Sequence, residues 1–351
     1  MDANRETSAR EVLKAFGPPW SDGNARLKPA TAGWSGGHVF RVTTSWDEGA
    51  LRCFPAETRR ERVEAIHAVQ ISARAHGLSA VPDIIATTSG DRFVPSEGHL
   101  WELADWKKGQ PAPLAEPHPE HLRELARILH HWYDAARTPE IARVFGSTTP
   151  NQVVDCFLSR GRTLSPGIQR RLEIFGRARE LPPLEPERLS PAERTLSLAT
   201  DQLYARTRTW FEELAAWQKV PLSCELCLRD LHREHLLFDN ERVSGLIDFG
   251  SVGFDSPAVD LARYVSSFEQ FDWSWLAGND PSWELIRDAA IDADEWNRLI
   301  QLLALTGGVA SAIHWRQWLL IEKRSFASRD LALLRWANRL SLVERLLNEH
   351  P

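Results

Sequence analysis

RDLHREH, at residues 229–235, and LLFDNERVSGLIDFG, which follows it at residues 236–250, form the stretch of sequence that decides the fold. The second segment contains two short apolar runs, LLF and VSGLIDF, on either side of the turn-forming letters D-N-E, a pattern typical of a β-hairpin. Asp230 lies in the polar loop before this hairpin, and Asp248 lies at the end of its second strand. A hairpin between them can therefore bring two carboxylates that are distant in the sequence to one place.

Two carboxylates in this arrangement suit phosphoryl transfer. One can accept or orient the proton of an attacking hydroxyl, while the other holds the magnesium that neutralises charge on the phosphates of a nucleotide. Gly250, close behind Asp248, gives the chain the freedom to turn away sharply. The loop and the hairpin together indicate a nucleotide and metal site.

The order of these segments resembles the aminoglycoside phosphotransferase and choline kinase group, relatives of the protein kinases. The family pattern H-G-D-x-x-x-x-N, a hairpin, I-D-F/W and then D-P-x-x-D-L-A is similar to LRDLHREH, LLFDNERVSGLIDFG and FDSPAVDLA in this chain. The resemblance implies an α+β, bilobal protein-kinase-like fold and an ATP- and Mg-dependent kinase that phosphorylates a hydroxyl, or less readily an amine, of a small molecule. It matches Asp230 to the catalytic base and Asp248 to the metal-binding Asp. Asp255 and Asp260 match residues that organise the loop, and we expect Asp260 to fix loop backbone amides.

The chain departs from the family pattern at two positions. Leu228 stands where the family has the His that opens the catalytic loop, and His235 stands where it has a metal-binding Asn. Imidazole nitrogen suits zinc, manganese or iron better than magnesium. His235 is therefore interpreted in three ways: as a metal ligand, as a hydrogen-bonding residue for the loop or a phosphate, or as the mark of a nucleotide-binding pseudokinase or scaffold without phosphotransfer. His232 is either a structural loop residue or a neighbour of the substrate hydroxyl.

The N-terminal sequence contains a candidate phosphate loop. TAGWSGGHVFRV, at residues 31–42, resembles the family's phosphate-covering loop, in which Gly33, Gly36 and Gly37 would let backbone N–H groups approach phosphates. A plain hairpin turn also explains these glycines. In the family a Lys or Arg of the next strand holds the phosphates, and Arg52 occupies that place, where its guanidinium can grip phosphate bidentately.

A helix is predicted over residues 57–77, because apolar residues recur there at helical spacing and Gly77 suits a helix end. The resemblance implies that a carboxylate of this helix pairs with the phosphate-binding residue. Glu61 and Glu64 are both candidates, and each is equally well explained as a surface charge paired with a neighbouring arginine.

The domain boundaries follow from the segment WELADWKKG, which begins as an apolar strand and then breaks. We predict an N-terminal nucleotide-binding lobe over residues 1–100, a hinge over residues 101–110, and a C-terminal helical lobe with the catalytic loop and acceptor site over residues 111–351. The resemblance places the adenine against hinge backbone between Trp101 and Asp105, with Trp101 and Leu103 as candidate contacts.

Within the C-terminal lobe, helical periodicity recurs over residues 120–136, 196–217 and 294–349. The stretch from residue 160 to residue 194 is rich in Arg, Glu and Pro and weakly periodic, so we expect an exposed, solvated insertion that helps select the acceptor. The sequence carries no motif that identifies the acceptor and no feature that sets an oligomeric state.

Composition restricts the remaining partners. A net charge of −6 argues against nucleic acid, and the most apolar stretch is shorter than a membrane span. The charged N-terminus is unlike an export signal, and the four scattered cysteines suit a reducing cytoplasm. Cys224 and Cys227 form a C-x-x-C that we interpret as buried packing, with a redox or metal role as the alternative. We therefore expect a cytoplasmic protein whose partners are a nucleotide and a small-molecule acceptor, with no membrane association.

Overall fold

The structure is a computed structural model, and it describes residues 3–30, 37–146, 149–178, 180–182, 184–277, 280–324, 326 and 328–349. Six strands form a sheet in the first third of the chain. They are β1 (Arg26–Pro29), β2 (His38–Thr43), β3 (Glu48–Cys53), β4 (Ile84–Ile85), β5 (Val94–Ser96) and β6 (His99–Asp105). Their order is β1-β2-β3-β6-β4, with β5 beside β6, and every pairing is antiparallel.

β2 and β3 form a hairpin, with Arg52 in the strand that follows the candidate phosphate loop. Thr44 closes the turn, because its N–H donates to the Asp47 carbonyl and its hydroxyl accepts from the Asp47 N–H, each at 2.9 Å. Side chains alternate between the two faces of a strand. Leu51 is therefore buried in the core of the sheet while Arg52 lies on the opposite face, and this alternation delivers Arg52 to the site described below.

Two helices pack on this sheet, α1 (Ala3–Leu13) and α2 (Arg60–Ala75). Apolar side chains of α1 join the same buried cluster as core residues of β3 and β6. The helix predicted over residues 57–77 is confirmed as α2, and Gly77 follows its end with φ +88°. The predicted apolar face of α2 is buried at Val63, Ile66, Val69 and Ala73.

Helices dominate the rest of the chain, as predicted. They are α3 (Pro119–Ala136), α4 (Pro139–Gly146), α5 (Asn151–Leu158), α6 (Pro166–Ala178), α7 (Pro191–Arg206), α8 (Arg208–Ala216), α9 (Pro257–Val265), α10 (Ser274–Ala277), α11 (Pro281–Glu284), α12 (Ala293–Arg316) and α13 (Arg329–Glu349). The periodicity at residues 196–217 corresponds to α7 and α8, which separate at the buried Thr207. The periodicity at residues 294–349 corresponds to α12 and α13, and a π-helical turn, Gln317–Ile321, follows α12.

Short strands interrupt these helices around the predicted site. They are β7 (Gln110–Pro111), β8 (Arg162–Thr163), β9 (Leu222–Ser223), β10 (Glu225–Cys227), β11 (Leu236–Asp239), β12 (Arg242–Leu246) and β13 (Gly253–Asp255). β11 and β12 form the predicted hairpin, with Asn240 at φ +55° in its turn. β10 pairs with β13. The loop before the hairpin follows β10, and the loop after the hairpin leads into β13. The pairing of β10 with β13 therefore holds the two loops side by side.

The connection between the two parts of the chain is short. β6 ends at Asp105, and β7 begins at Gln110 and pairs with β11 of the helical part. Gly109 lies in this connection with φ +129°, and a Cβ atom there would stand 2.9 Å from the Phe238 carbonyl oxygen. Glycine is required at this position because both its conformation and its close approach exclude a side chain.

The prediction that residues 160–194 form an exposed insertion is wrong for α6. Ile168 is completely buried and Phe175 nearly so. Arg171 packs against α12, where a Cβ atom on Gly307 would lie 3.3 Å from its guanidinium. Ile168, Leu172 and Phe175 lie at helical spacing on the inward face of this helix, so the sequence of α6 itself does carry the pattern of a packed helix.

The cysteines behave as the packing interpretation predicted. Cys224 and Cys227 are buried in and beside β10, and all four cysteines are free thiols. Within the ranges given above, no helix combines the length and the apolarity needed to cross a bilayer.

Candidate active site

A buried carboxylate, Asp260 in the first turn of α9, holds the loop that carries Asp230. The backbone N–H of Leu228 donates to its Oδ2 at 2.9 Å, and that of Arg229 donates to its Oδ1 at 2.6 Å. The Tyr133 hydroxyl donates to Oδ2 at 3.0 Å. Burial raises the pKa of Asp260 to about 6, although these three donors favour its ionised form. The predicted role of Asp260 in fixing loop amides is confirmed.

Asp230 has one engaged carboxylate oxygen and one open one. Its Oδ1 accepts from Arg263 Nε at 2.9 Å and Nη2 at 2.8 Å, and lies 3.2 Å from His232 Nε2. Burial alone would raise the pKa of Asp230, but the charge of Arg263 and the hydrogen bond from His232 hold it well below its usual value. Burial and the neighbouring Arg263 lower the pKa of His232 to about 3, so His232 donates as a neutral imidazole. Oδ2 has no partner among the described residues.

Asp248 lies in the loop after the hairpin with φ +64°, a left-handed conformation. Its Oδ1 pairs with Arg52 Nη2 at 3.0 Å and accepts from the Gly250 N–H at 3.2 Å. Burial would raise the pKa of Asp248, but the charge of Arg52 lowers it overall. The structure therefore brings together Arg52 of the sheet and Asp248 of the helical part. Their roles at phosphate and metal stay predictions.

The loop after the hairpin is anchored from two sides. Phe249 is 3% exposed and stacks on Trp132 of α3, with ring centroids 5.3 Å apart. Arg62 of α2 donates to the carbonyls of Gly250, at 2.9 Å, and Val252, at 2.6 Å. These contacts fix the backbone that follows Asp248.

His235 connects the two carboxylate loops. Its Nδ1 lies 2.8 Å from the Asp230 carbonyl oxygen, and its Nε2 lies 3.8 Å from Asp248 Oδ2. A carbonyl only accepts, so Nδ1 carries the hydrogen, and Nε2 of the neutral ring carries the lone pair. The hydrogen-bonding interpretation of His235 thus describes one nitrogen of the ring, while the metal-ligand interpretation stays a prediction for the other.

The predicted phosphate loop falls mainly on residues that the structure does not describe. Gly33 and Gly36 lie outside the described residues. Gly37 is described and is buried immediately before β2. Its assignment as a nucleotide-binding residue stays a prediction.

The predicted partner of Arg52 on α2 is not found among the described residues. Glu64 accepts from Arg60 at 2.8 Å on the helix surface, and Glu61 makes no contact with Arg52. Instead, Glu102 lies opposite Arg52 in the β3–β6 register and favours its charge. Glu102 is itself buried against His67 of α2, whose Nε2 lies 2.6 Å from its Oε2. The helix therefore reaches the site through His67, so neither Glu61 nor Glu64 is supported.

The adenine contacts predicted for residues 101–105 fall on a strand inside the sheet, and they stay a prediction. Leu103 lies in β6, paired with Leu51 on one side and Ile85 on the other, and it is completely buried. Trp101 is 2% exposed and lies in the same strand between β3 and β5. The backbone groups of β6 pair with β3 on one side and with β4 and β5 on the other, because the apolar strand continues to Asp105 before the chain leaves the sheet.

Asp248 and His235 are the described side chains that fit a divalent metal. Within the described ranges, no three His, Cys, Asp or Glu side chains cluster closely enough to hold a metal by themselves. Mg²⁺ commonly takes one or two carboxylates and completes its shell with substrate phosphates and water. One carboxylate and one imidazole that face each other at 3.8 Å fit that manner of binding, with the imidazole favouring manganese over magnesium.

A cavity of about 740 Å³ lies beside Asp230. Its walls come from α6, α9, α12 and the π-helical turn after α12. Pockets of this size hold small molecules.

Sequence reasoning missed Arg263, which pairs with Asp230. Its signal lay in its position: Arg263 follows Asp260 by three residues, so in the helix α9 the two share one face. It also missed Glu102 and His67, for which the sequence carried no signal, because their meeting depends on how β6 and α2 pack together.

The antiparallel N-terminal sheet followed by a mostly helical part defines the class of kinase-like phosphotransferase folds. The chain belongs to the phosphotransferase enzyme family, whose family model matches residues 26–300. This confirms the predicted family, the enzyme class and the α+β bilobal fold. A comparison with curated protein sequences gave no match.

Solved structures with the same fold include other phosphotransferases. An aminoglycoside phosphotransferase from Alicyclobacillus acidocaldarius is 16% identical with a TM-score of 0.54, over 97% of this chain and 94% of that one. A spectinomycin phosphotransferase in complex with ADP and spectinomycin is 10% identical with a TM-score of 0.60, over 92% of both chains. An ethanolamine kinase from Plasmodium vivax is 13% identical with a TM-score of 0.58, over 92% of this chain and 82% of that one. At these identities the likeness shows the fold.

Proposed function

We propose that the protein transfers the γ-phosphate of ATP to a hydroxyl of a small molecule, with Asp230 as the base and Asp248 and His235 as the metal ligands. The observation that carries this proposal is that Asp230 borders the cavity while its loop is linked through His235 to the Asp248–Arg52 pair. His235 links the two carboxylate loops, with one nitrogen 2.8 Å from the Asp230 carbonyl and the other 3.8 Å from Asp248. A cytoplasmic location, predicted from the sequence, forms part of the proposal.

Asp230 is suited to orient an attacking hydroxyl. Its Oδ1 is held by Arg263 and His232, so the carboxylate cannot rotate freely, and its Oδ2 is left to accept the hydroxyl hydrogen. The low pKa of Asp230 keeps it ionised at neutral pH. A weak base suffices here, because phosphoryl transfer through a loose transition state depends mainly on positioning and charge.

Arg52 and Asp248 are suited to hold the nucleotide phosphates. A divalent metal held by Asp248 and His235 would neutralise charge on those phosphates. Arg52 adds a fixed positive charge on the other side of Asp248, and Glu102 favours that charge from the neighbouring strand. The assignment of ATP is supported by the family and by the ADP bound to the spectinomycin phosphotransferase of the same fold.

The test is ATP turnover by the purified protein with a panel of hydroxylated small molecules, with Asp230→Asn as the matched variant. We expect acceptor-dependent ADP formation in the wild type and a loss of about 10²- to 10⁴-fold in Asp230→Asn. Binding of AMP-PNP by the variant, followed by thermal shift, controls for folding. Undiminished turnover in Asp230→Asn would show that Asp230 is not the base.

The alternative of a pseudokinase or scaffold was motivated by Leu228 and His235. Leu228 is buried, and its backbone N–H donates to Asp260 at 2.9 Å, so the loop is held without the family's His. Nδ1 of His235 donates to the Asp230 carbonyl of the loop, and its Nε2 faces Asp248 Oδ2. Both departures leave the site assembled, which favours the enzyme over the pseudokinase; stabilisation by AMP-PNP and metal without turnover of any acceptor would reverse that preference.

A further inference from the structure

The cavity beside Asp230 carries an excess of positive charge. Six arginines and four carboxylates border it. Two of the arginines are neutralised locally, since Arg263 pairs with Asp230 at 2.8 Å and Arg324 pairs with Glu322 at 2.5 Å. The six arginines are Arg170, Arg171, Arg177, Arg229, Arg263 and Arg324.

Three of the arginines that line the cavity form no ion pair with a described carboxylate. Within the described ranges, no ion pair forms at Arg170, Arg171 or Arg229. Arg171 Nη1 donates to the Gly167 carbonyl at 2.9 Å, while its Nε is buried and meets no hydrogen-bond partner in the described part of the chain. Arg229 belongs to the loop that carries Asp230, so its charge is next to the proposed base.

The charges act on each other across the cavity. Burial first, and then the neighbouring positive charges of Arg263, Arg170 and Arg229, lower the pKa of Arg171 to about 10, although Asp255 opposes this shift. On the facing wall, burial and the charges of Arg170 and Arg324 lower the pKa of His314. The positive potential therefore extends from α6 to α12.

Asp255, a buried carboxylate of this wall, offsets that potential only in part. Asp255 is 1% exposed, and its Oδ1 is already bound by the Ser165 hydroxyl at 2.6 Å and the Ser256 N–H at 2.9 Å. It lies beyond ion-pair distance of the described arginine groups. An ammonium group of a cationic acceptor would meet guanidinium groups here, and like charges brought together in a pocket repel strongly.

We propose that the acceptor is an anion: a small hydroxy compound with a carboxylate or phosphate group that Arg170, Arg171 and Arg229 bind while its hydroxyl lies at Asp230. This inference rests on the proposed function for the role of Asp230. Guanidinium groups match carboxylate and phosphate oxygens through paired N–H donors. The whole chain has a net charge of −6, so this positive cavity is a local arrangement and not a consequence of overall composition.

The test compares ligands that share a six-carbon polyol frame and differ in charge. Binding of gluconate, glucose 6-phosphate, glucose and glucosamine to the full chain is measured by calorimetry at constant ionic strength. The protein is saturated with AMP-PNP and Mg²⁺ so that the nucleotide phosphate site is filled. We expect at least one anion to bind ten-fold or more tighter than glucose, and glucosamine to bind more weakly than glucose. The two anions separate carboxylate from phosphate recognition.

Two arginine variants and a matched control complete the test. Arg170 is exposed on α6, so Arg170→Ala removes the charge with little risk to folding, and Arg229→Ala provides a second variant. We expect each to weaken anion binding by about ten-fold, which corresponds to about 1.4 kcal/mol. Arg208→Ala removes an equal charge from α8, where Arg208 makes an exposed pair with Glu212, and should bind anions as the wild type does.

Equal binding of glucose and both anions would overturn the proposal, as would anion binding that survives Arg170→Ala and Arg229→Ala unchanged. An equal loss in Arg208→Ala would also overturn it, because the effect would then be general. Asp230→Asn separates the two proposals: it should lose phosphate transfer but retain anion binding. A protein that binds the anions through these arginines and phosphorylates nothing would refute the proposed function alone.

Discussion

Replacing Asp260 by alanine should strongly destabilise the protein, because one buried carboxylate serves three donors. It accepts from the N–H groups of Leu228 and Arg229 and from the Tyr133 hydroxyl. A buried donor left without a partner costs about 1–3 kcal/mol. Three donors would together lose their acceptor, each at a cost near the lower middle of that range. Part of this cost is offset because the variant no longer buries a charged carboxylate. We therefore expect Asp260→Ala to lower the free energy of unfolding by about 3–5 kcal/mol.

The assay is urea unfolding followed by tryptophan fluorescence, since the chain has 15 Trp residues. Tyr133→Phe is the matched control, because it removes one of the three donors and leaves the two backbone bonds to Asp260. It should cost about 1 kcal/mol. If the proposed function holds, Tyr133→Phe should also keep most ATP turnover, while Asp260→Asn should lose turnover even where it is folded. A loss of less than about 1 kcal/mol in Asp260→Ala would refute the reasoning, since it would mean that water replaces Asp260 at the loop amides.

Three further predictions concern single positions. In the AMP-PNP-loaded protein, His235→Asn should weaken Mn²⁺ binding by about ten-fold and leave Mg²⁺ binding unchanged or tighter, as measured by Mn²⁺ electron paramagnetic resonance with Mg²⁺ competition; equal loss of both metals would contradict a ligand role. Trp132→Ala should cost about 3–5 kcal/mol in urea unfolding, because it empties a completely buried site and leaves the Leu226 carbonyl without its 2.7 Å donor; Trp132→Phe should cost less. Gly109→Ala should cost about 1–3 kcal/mol in the same assay, because its Cβ would press on the Phe238 carbonyl and the Ser244 hydroxyl; a neutral effect would show that the connection relaxes easily.

The parts of the site that are built from residues close together in the sequence could be predicted from the sequence. The hairpin of β11 and β12, the loop before it and the turn at Asn240 depend on residues close in sequence, so alternation and turn chemistry identified them. The contact of Asp260 with loop amides spans a longer separation, but the resemblance of the motif to a known family supplied it.

The sequence could not supply contacts that depend on register and packing. Glu102 stands opposite Arg52 only because β3 and β6 pair in one particular register. The burial of Leu103 and Trp101 follows from strands on both sides of β6, which single-sequence periodicity does not reveal. For α6 the helical spacing of Ile168, Leu172 and Phe175 was present, but it lies within a longer stretch whose many charges suggested a solvated surface. A cavity wall can carry arginines such as Arg171 where a solid core would not.

The two carboxylates of the site are both paired with arginines, but the consequences differ. Arg263 binds only one oxygen of Asp230 and comes from the same helical part, so the pair can persist while the other oxygen meets an acceptor. Arg52 comes from the sheet and pairs with the oxygen atom of Asp248 that also accepts from Gly250. A nucleotide phosphate that binds Arg52 would compete with Asp248 for this positive charge. When Arg52 turns from Asp248 to a nucleotide phosphate, Asp248 loses its positive partner, and a divalent cation bound there would take the place of Arg52. Each ligand therefore favours binding of the other, and we expect nucleotide and metal to bind with positive cooperativity.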